Sequence, residues 1–219
     1  MSSTPESVFN AIEARVLGCL IEKQSTTPEN YPLTLNALVT ACNQKTSRSP
    51  VMRLESGKVG ATLRQLEQRK LVERQQGARA ERWAHRLDTE LSLTAAQRVL
   101  LGLLMLRGAN TLNELMTRSE RMFAFDDVDE LHFQLDRLAQ HGRVRLLDTL
   151  PGQREPRYVQ LLTGEPDLSV RIEQAPGVQS EQPSETHAGH NLLARVDALE
   201  ARIAEIETFM KRDKAPPSD

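Results

Sequence analysis

Apolar and polar residues alternate with a helical period in three successive segments near the start of the chain. A period of about 3.6 residues is typical of an amphipathic helix with one buried face. The pattern predicts helices over about residues 7–23, directly after Pro32, and over about residues 57–70. Two stretches of β-like sequence follow, with a turn at Gly77 between them. The apolar positions that define the three helices are Ile12, Val16, Cys19 and Leu20, then Leu35, Leu38 and Val39, then Val59, Leu63 and Leu66.

The same order of segments occurs a second time. Residues 34–40 read TLNALVT, and residues 111–117 read TLNELMT. Matched segments in one order predict two related domains, residues 1–88 (copy one) and residues 89–163 (copy two). The other matches are residues 13–23 with 96–106, residues 62–74 with 134–146, and Arg82-Trp83 with Arg157-Tyr158.

Three helices followed by a two-stranded hairpin is the element order of a winged helix-turn-helix domain. We therefore expect a mainly α fold with small β-hairpins, built from two tandem winged-helix domains. In both copies the closing aromatic residue, Trp83 or Tyr158, is expected to seal the core. For copy two the pattern predicts helices near 93–106, 111–118 and 127–141, and strands near 143–148 and 156–162.

The chain changes character after copy two. Residues 164–189 are polar, acidic and interrupted by proline and glycine, which predicts a flexible linker. Residues 190–214 regain helical periodicity with a heptad seam, which predicts a C-terminal coiled coil and a homodimer. The alternative is an amphipathic helix that packs on its own domains. The dimerisation seam comprises Leu192, Val196, Leu199, Ile203, Ile206 and Met210.

Three stretches carry a family resemblance: residues 13–52, residues 112–131 and residues 151–162. They resemble the YceH family of uncharacterised bacterial proteins, over about residues 7–163. The resemblance implies a tandem winged-helix fold, which agrees with the pattern of residues. It implies no activity, and it carries over no catalytic or binding residue.

Charge is unevenly distributed along the chain. The formal net charge is −2, which by itself argues against a nucleic-acid-binding protein. Residues 45–86, however, hold 11 basic and 4 acidic side chains, a net charge of +7. This segment contains the third helix and the hairpin of copy one, the elements with which a winged helix meets DNA. The local charge therefore indicates which domain would bind DNA.

One face of the third helix supplies the candidate DNA contacts. Basic side chains can bind phosphates or guanine edges, and glutamine can pair with adenine. The alternative is an ordinary solvated helix face. The predicted face carries Lys58, Thr62, Gln65 and Arg69, the preceding loop adds Lys45, Arg48 and Arg53, and the hairpin adds Arg74 and Arg79.

Copy two differs at the start of its third helix, where residues 126–130 read DDVDE. These acids would repel phosphates, although their favourable interaction with the helix dipole explains them fully. A second interpretation is that copy two holds a protein partner or the twin subunit.

Other classes of function find little support in the sequence. The longest apolar run has eight residues, whereas a membrane-spanning helix needs about 20. Nucleotide-binding, hydrolase and metalloprotease motifs are absent, and neither the histidines nor Cys19 and Cys42 show metal-ligand spacing. We expect a cytoplasmic, non-enzymatic protein without cofactor or metal, which binds double-stranded DNA and regulates transcription. The alternative is a protein-interaction scaffold built from winged helices, with an unknown protein partner and no DNA contact.

Overall fold

The structure, a computed structural model, describes residues 8–77, 80–149 and 155–165. The predicted linker, the C-terminal helix with its seam, and Arg79 lie outside these ranges. Within them the chain is mainly helical, with small antiparallel sheets.

Copy one forms its elements close to the predicted positions. A 3-10 turn at Pro28–Asn30, a short strand before the second helix and a short fourth helix were not predicted, because each is too short to show a period. The elements are α1 (Ala11–Thr26), β1 (Leu33–Thr34), α2 (Leu35–Cys42), α3 (Ser56–Gln68), β2 (Val72–Gln76), β3 (Glu81–His85) and α4 (Leu87–Glu90).

Copy two repeats the order of three helices and two strands, and an isolated antiparallel bridge between Asn110 and Tyr158 takes the place of β1. Its elements are α5 (Ala95–Arg107), α6 (Leu112–Ser119), α7 (Val128–Gln140), β4 (Val144–Leu147) and β5 (Arg157–Gln160). The predicted order of three helices and a hairpin is thus present in both copies.

Matching threonines start the second helix of each copy. The Thr34 hydroxyl accepts a hydrogen bond from the backbone N–H of Ala37 at 3.3 Å, and the Thr111 hydroxyl accepts one from that of Glu114 at 3.2 Å. These bonds satisfy backbone donors that the first turn of a helix leaves free. The repeated TLN motif therefore encodes the same helix start twice.

Strand register supports the equivalence of the two copies. In copy one, β1 and β2 both pair with β3, so that Trp83 lies opposite Leu33 and Arg74. In copy two, Tyr158 of β5 lies opposite Leu146 of β4 and exchanges two backbone hydrogen bonds with Asn110, at 3.0 and 2.7 Å. Both aromatic side chains are buried, as predicted for residues that close each core.

The core lies where the first helices of the two copies cross. Residues 13–21 of α1 and residues 99–106 of α5 are buried without interruption, which is the pattern of helices packed on all sides. Two glycines permit the close approach. A Cβ on Gly18 would lie 2.9 Å from Leu106 Cγ, and one on Gly102 would lie 2.7 Å from Ile21 Cγ2. Because the later α1 residue meets the earlier α5 residue, the two helices run in opposite directions.

Backbone hydrogen bonds also join the copies. The N–H of Phe9 donates to the carbonyl of Leu162 at 2.8 Å, and the N–H of Ser49 donates to that of Leu106 at 2.8 Å. Both copies accordingly fall within one compact unit of the chain.

Asp88 in α4 is a further tie between the copies. Its carboxylate lies 3.1 Å from His85 Nδ1 and 2.5 Å from Arg98 Nη1 on α5. The hydrogen bonds of His85 and Arg98 hold the pKa of Asp88 well below its usual range. Because this pKa is lower in the folded chain than in the unfolded one, ionised Asp88 stabilises the fold above about pH 4. That stabilisation is lost as the pH falls through the folded-state pKa.

We expect Asp88→Asn to be less stable than the parent protein at pH 7, with a difference that shrinks below about pH 4. Urea unfolding at a series of pH values measures this difference. Glu90→Gln, an exposed carboxylate on the same helix, serves as the control and is expected to show a small effect that varies little with pH. A deficit in Asp88→Asn that stays constant on acidification would contradict the assignment.

Candidate nucleic-acid interface

The exposed face of α3 is rotated from the predicted one. Thr62 was expected on this face, and that prediction is wrong because Thr62 is buried. Thr62 follows Val59 by three residues and precedes Leu66 by four, so it belongs to the buried stripe. Its hydroxyl donates to the carbonyl of Lys58 at 2.9 Å, which satisfies it inside the core.

Arg48 is also absent from the surface. It was predicted to contact DNA from the loop before α3, but its side chain is fully buried. Its guanidinium binds both carboxylate oxygens of Glu22, at 2.6 and 3.0 Å, and the carbonyl of Ala41 at 3.0 Å. Burial opposes the charge, but the hydrogen bonds and negative charge of Glu22 outweigh it and raise the pKa of Arg48. Arg48 is therefore an internal cation that fixes the loop to α1.

Arg69 lies at the surface but is engaged in holding α3 against the start of α1. Its guanidinium donates to the Glu13 carboxylate at 3.0 Å and to the Val8 carbonyl at 2.5 Å. It also lies over the Phe9 ring, 5.4 Å from the ring centroid. Substituting Arg69 would thus disturb the fold as well as the surface.

Three of the five other arginines of the basic segment that the structure describes also make contacts inside copy one. Arg74 binds Glu67 and Glu81, Arg86 binds Glu73, and Arg82 donates to backbone carbonyls. Among the described residues of this segment, five cations have neither an ion pair nor a side-chain hydrogen bond. These unpaired cations are Lys45, Arg53, Lys58, Arg64 and Lys70.

The structure brings two of the unpaired cations onto α3 itself, together with exposed glutamines. Lys58 and Gln65 were predicted, whereas Arg64 and Gln68 were missed. At about 100° per residue, the direction opposite Val59, Leu63 and Leu66 points between Ala61 and Arg64. The apolar spacing of α3 therefore already indicated which side chains are exposed. The predicted face was centred on the wrong side of the helix. We call Lys58, Ala61, Arg64, Gln65 and Gln68 the α3 face.

A pocket of about 270 Å³ opens beside the α3 face, between the start of α2, α3 and β3. Leu35, Leu63 and Trp83 contribute apolar walls, and Arg64 lines it as well. Gly60 keeps the helix side of the pocket free, since a Cβ there would meet nothing closer than Leu35, at 3.8 Å.

The corresponding face of α7 in copy two has different chemistry. The match of residues 62–74 with 134–146 extends back to the first residues of α3 and α7, Ser56 and Val128. It places Glu130 where copy one has Lys58, and Asp136 where it has Arg64. Phe133 stands at the position of Ala61 and is 59% exposed. The face that carries cations in copy one therefore carries acids around an aromatic residue in copy two.

Two kinds of site are absent from the described ranges. No helix there is long and apolar enough to cross a membrane. No group of three or more His, Cys, Asp or Glu side chains there is placed to hold a metal ion. Cys19 and Cys42 are both free and buried, as expected for core residues.

Comparison with known proteins gives one consistent result. Residues 9–154 match the family model described as "Protein of unknown function, DUF480". A UPF0502 protein of Azotobacter vinelandii is 58% identical over 193 residues, which span 88% of this chain and 84% of the relative. A UPF0502 protein of Ectopseudomonas mendocina is 56% identical over 201 residues, spanning 90% and 89%. One from Pseudomonas savastanoi is 52% identical over 203 residues, spanning 91% and 92%.

Proposed function

The chain belongs to the DUF480 family of bacterial proteins of unknown function, and we propose that it is a non-enzymatic protein that binds double-stranded DNA through the α3 face. The observation that carries the proposal is the set of unpaired cations on and around α3. Residues 45–86 contain ten basic side chains that the structure describes; five of these have no partner, and two of the five lie on α3. Cations that serve no internal contact are the ones free to meet phosphates.

In this proposal both copies are winged helices, and α3 of copy one is the recognition helix. An α-helix fits the major groove, where arginine or lysine binds the acceptors of guanine and glutamine binds adenine. Lys58, Arg64, Gln65 and Gln68 supply these groups. Lys45 and Arg53, in the segment before α3, supply phosphate contacts that orient the helix but read no sequence.

Three expectations extend the proposal. The C-terminal seam makes the protein a coiled-coil homodimer, so that two α3 faces contact one duplex. The protein acts in the cytoplasm as a regulator of transcription. Copy two does not contact DNA, because Glu130 and Asp136 replace the cations of copy one.

Charge reversal on the α3 face is the direct test. A triple variant, Lys58→Glu, Arg64→Glu and Gln65→Glu, is expected to bind duplex DNA about 100-fold more weakly than the parent. The slope of log affinity against log salt should also become shallower, by about 0.9 for each phosphate that the variant no longer neutralises. Fluorescence anisotropy with a labelled duplex at about 50 mM and about 200 mM salt measures both quantities.

The matched control makes the same change in charge on copy two. Arg121→Glu, Arg137→Glu and Gln140→Glu alter exposed side chains there and should leave affinity within a few-fold of the parent. If both triple variants bind DNA equally weakly, DNA affinity depends on the overall charge of the protein and not on the α3 face. Absence of binding by the parent at low salt would refute the proposal.

A further inference from the structure

Phe133 is an exposed aromatic residue with an acidic surround. It is 59% exposed on α7, the most exposed large apolar side chain in the described structure. Its neighbours one helical turn away on the same face are Asp129, Glu130, Asp136 and Arg137. Apolar surface that remains exposed to water is unfavourable, and its free energy falls when a partner covers it. Covering this ring would therefore stabilise a complex.

The hairpin of copy two adds a second apolar side chain. Leu146 stands at the position of Arg74, an equivalence that strand register supports because each lies opposite the buried aromatic residue of its copy. Leu146 is 47% exposed, whereas Arg74 is charged and ion-paired. Copy two therefore has a larger or more apolar side chain than copy one on both elements: Phe133 in place of Ala61 on the helix, and Leu146 in place of Arg74 on the hairpin.

The pocket of copy one lies where copy two carries a larger side chain. Gly60, which lines the pocket beside the α3 face, adds no side chain to it. The equivalent residue in copy two is His132, whose ring lies edge-on to that of Tyr158 with the ring centroids 6.4 Å apart. Copy two therefore carries a histidine side chain at the position where copy one has the glycine that lines the pocket.

The exposed ring and the pocket agree in size and charge. A cavity of about 150 Å³ lined by apolar side chains is enough to bind benzene, and the pocket has about 270 Å³. Its apolar walls suit a phenyl ring, and Arg64 offers a positive charge to an acidic rim such as that around Phe133. Its other charged residue, Glu81, is neutralised by Arg74 at 2.8 Å.

We propose that the chain associates with itself head to tail: Phe133 of one molecule enters the pocket beside α3 of a second copy, and Asp129 and Asp136 meet its Arg64. Both features are open to solvent in the same compact unit, so the contact forms between molecules. It is heterologous, with different surfaces on the two partners. It goes beyond DNA binding, and because Arg64 takes part in both, self-association and DNA binding compete.

Sedimentation velocity of the full chain without DNA tests the contact. The average mass is expected to rise with protein concentration and to fall with added salt. Phe133→Glu, which removes the ring, and Gly60→Leu, which fills the pocket, should each weaken self-association about 30-fold, the effect of losing an interface hot spot. The predicted coiled-coil seam contains neither Phe133 nor Gly60, so a dimer formed through it would keep its mass in either variant.

Mixing the two variants gives the sharpest outcome. Phe133→Glu retains an intact pocket and Gly60→Leu retains an intact ring, so the mixture should form complexes with equal numbers of both chains. Sedimentation detects them as a species heavier than either variant forms alone at the same total concentration, an increase that exchange of chains through the predicted seam does not produce. Val8→Glu, at another exposed apolar residue, is the control and should leave association unchanged.

Circular dichroism establishes whether each variant is folded. We expect both to fold, because Phe133 is exposed and the space beside Gly60 is free. A parent mass that does not depend on concentration would overturn the proposal, and so would mixed variants that fail to combine. Because no DNA is present, neither result bears on the DNA-binding proposal.

Discussion

Gly102→Leu is expected to lower the free energy of unfolding by about 3 kcal/mol, the upper end of what overpacking usually costs. Even a Cβ at this position would lie 2.7 Å from Ile21 Cγ2 and 3.2 Å from Ile21 Cβ. Ile21 Cβ is fixed by the backbone, and Cγ2 moves only if χ1 leaves the one rotamer that a β-branched residue strongly prefers in a helix. Relief of the clash therefore requires an unfavourable rotamer or a shift of α1. A decrease of this size is a large share of the roughly 5–15 kcal/mol that stabilises a typical domain.

Urea unfolding followed by circular dichroism measures the change, and Gly60→Ala is its matched control. Gly60 is also a helical glycine, but its added Cβ would lie 3.8 Å from Leu35, an ordinary contact distance. There the gain in helix propensity acts alone, and we expect stabilisation by about 0.5–1 kcal/mol. A decrease in the free energy of unfolding at Gly102 and an increase at Gly60 would show that the close approach of α1 and α5, and not a general effect of replacing helical glycine, destabilises Gly102→Leu.

A second substitution locates the strain. Ile21→Ala in the Gly102→Leu background removes the clashing Cγ2 and lets leucine fill the space. The double variant should be more stable than the sum of the single changes predicts, by about 0.5–3 kcal/mol. Strict additivity would show that α1 and α5 do not meet at these residues.

The repeat made the order of elements predictable. Apolar spacing located six helices to within a few residues, and the repeated TLN sequence lies at the start of the second helix in each copy. The start of α1 was less accurate, since the capping box of Asn10 and Glu13 begins this helix at Ala11. Such a cap depends on two side chains and leaves no periodic signal.

The relation between the copies could not be predicted from spacing. Both α1 and α5 read as amphipathic helices of separate domains, yet each is buried on nearly all sides because they pack on each other. The signal was present in residues 99–106, an apolar run too continuous for a helix with a solvated face. Gly18 and Gly102 gave a second signal, because glycine inside a helix often marks a close approach.

For the candidate site, sequence identified the segment but not the individual contacts. Net charge counts every cation equally, whereas an ion pair within the fold removes a cation from the surface. Arg69, Arg74 and Arg86 find carboxylates on neighbouring elements, and those pairings depend on tertiary structure. Only the folded chain distinguishes these residues from Lys58 and Arg64.

Glu22→Ala is expected to lower the free energy of unfolding by about 3–5 kcal/mol, more than any other substitution considered. It leaves the Arg48 guanidinium buried without its carboxylate, and the cost of an uncompensated internal charge exceeds the worth of the hydrogen bonds that are removed. Replacing both partners, as Glu22→Leu with Arg48→Met, should cost less than Glu22→Ala because no charge remains inside. Lys45→Ala, on the same loop but exposed and unpaired, should change stability by no more than about 0.5 kcal/mol.

Arg48→Lys then separates an internal role from a DNA contact. Lysine keeps the positive charge but cannot form the two parallel bonds to Glu22, so unfolding should become easier by about 1–3 kcal/mol. If Arg48 acts only inside the fold, the folded variant binds duplex DNA as tightly as the parent, whereas Arg64→Lys leaves stability unchanged and weakens recognition. If Arg48→Lys lowers DNA affinity as much as Arg64→Lys does, Arg48 contacts DNA and the internal role is not its only one. Unfolding and anisotropy measured on the same samples distinguish an internal role of Arg48 from a DNA contact. The burial of Arg48 predicts that stability responds to Arg48 and that DNA affinity responds to Arg64.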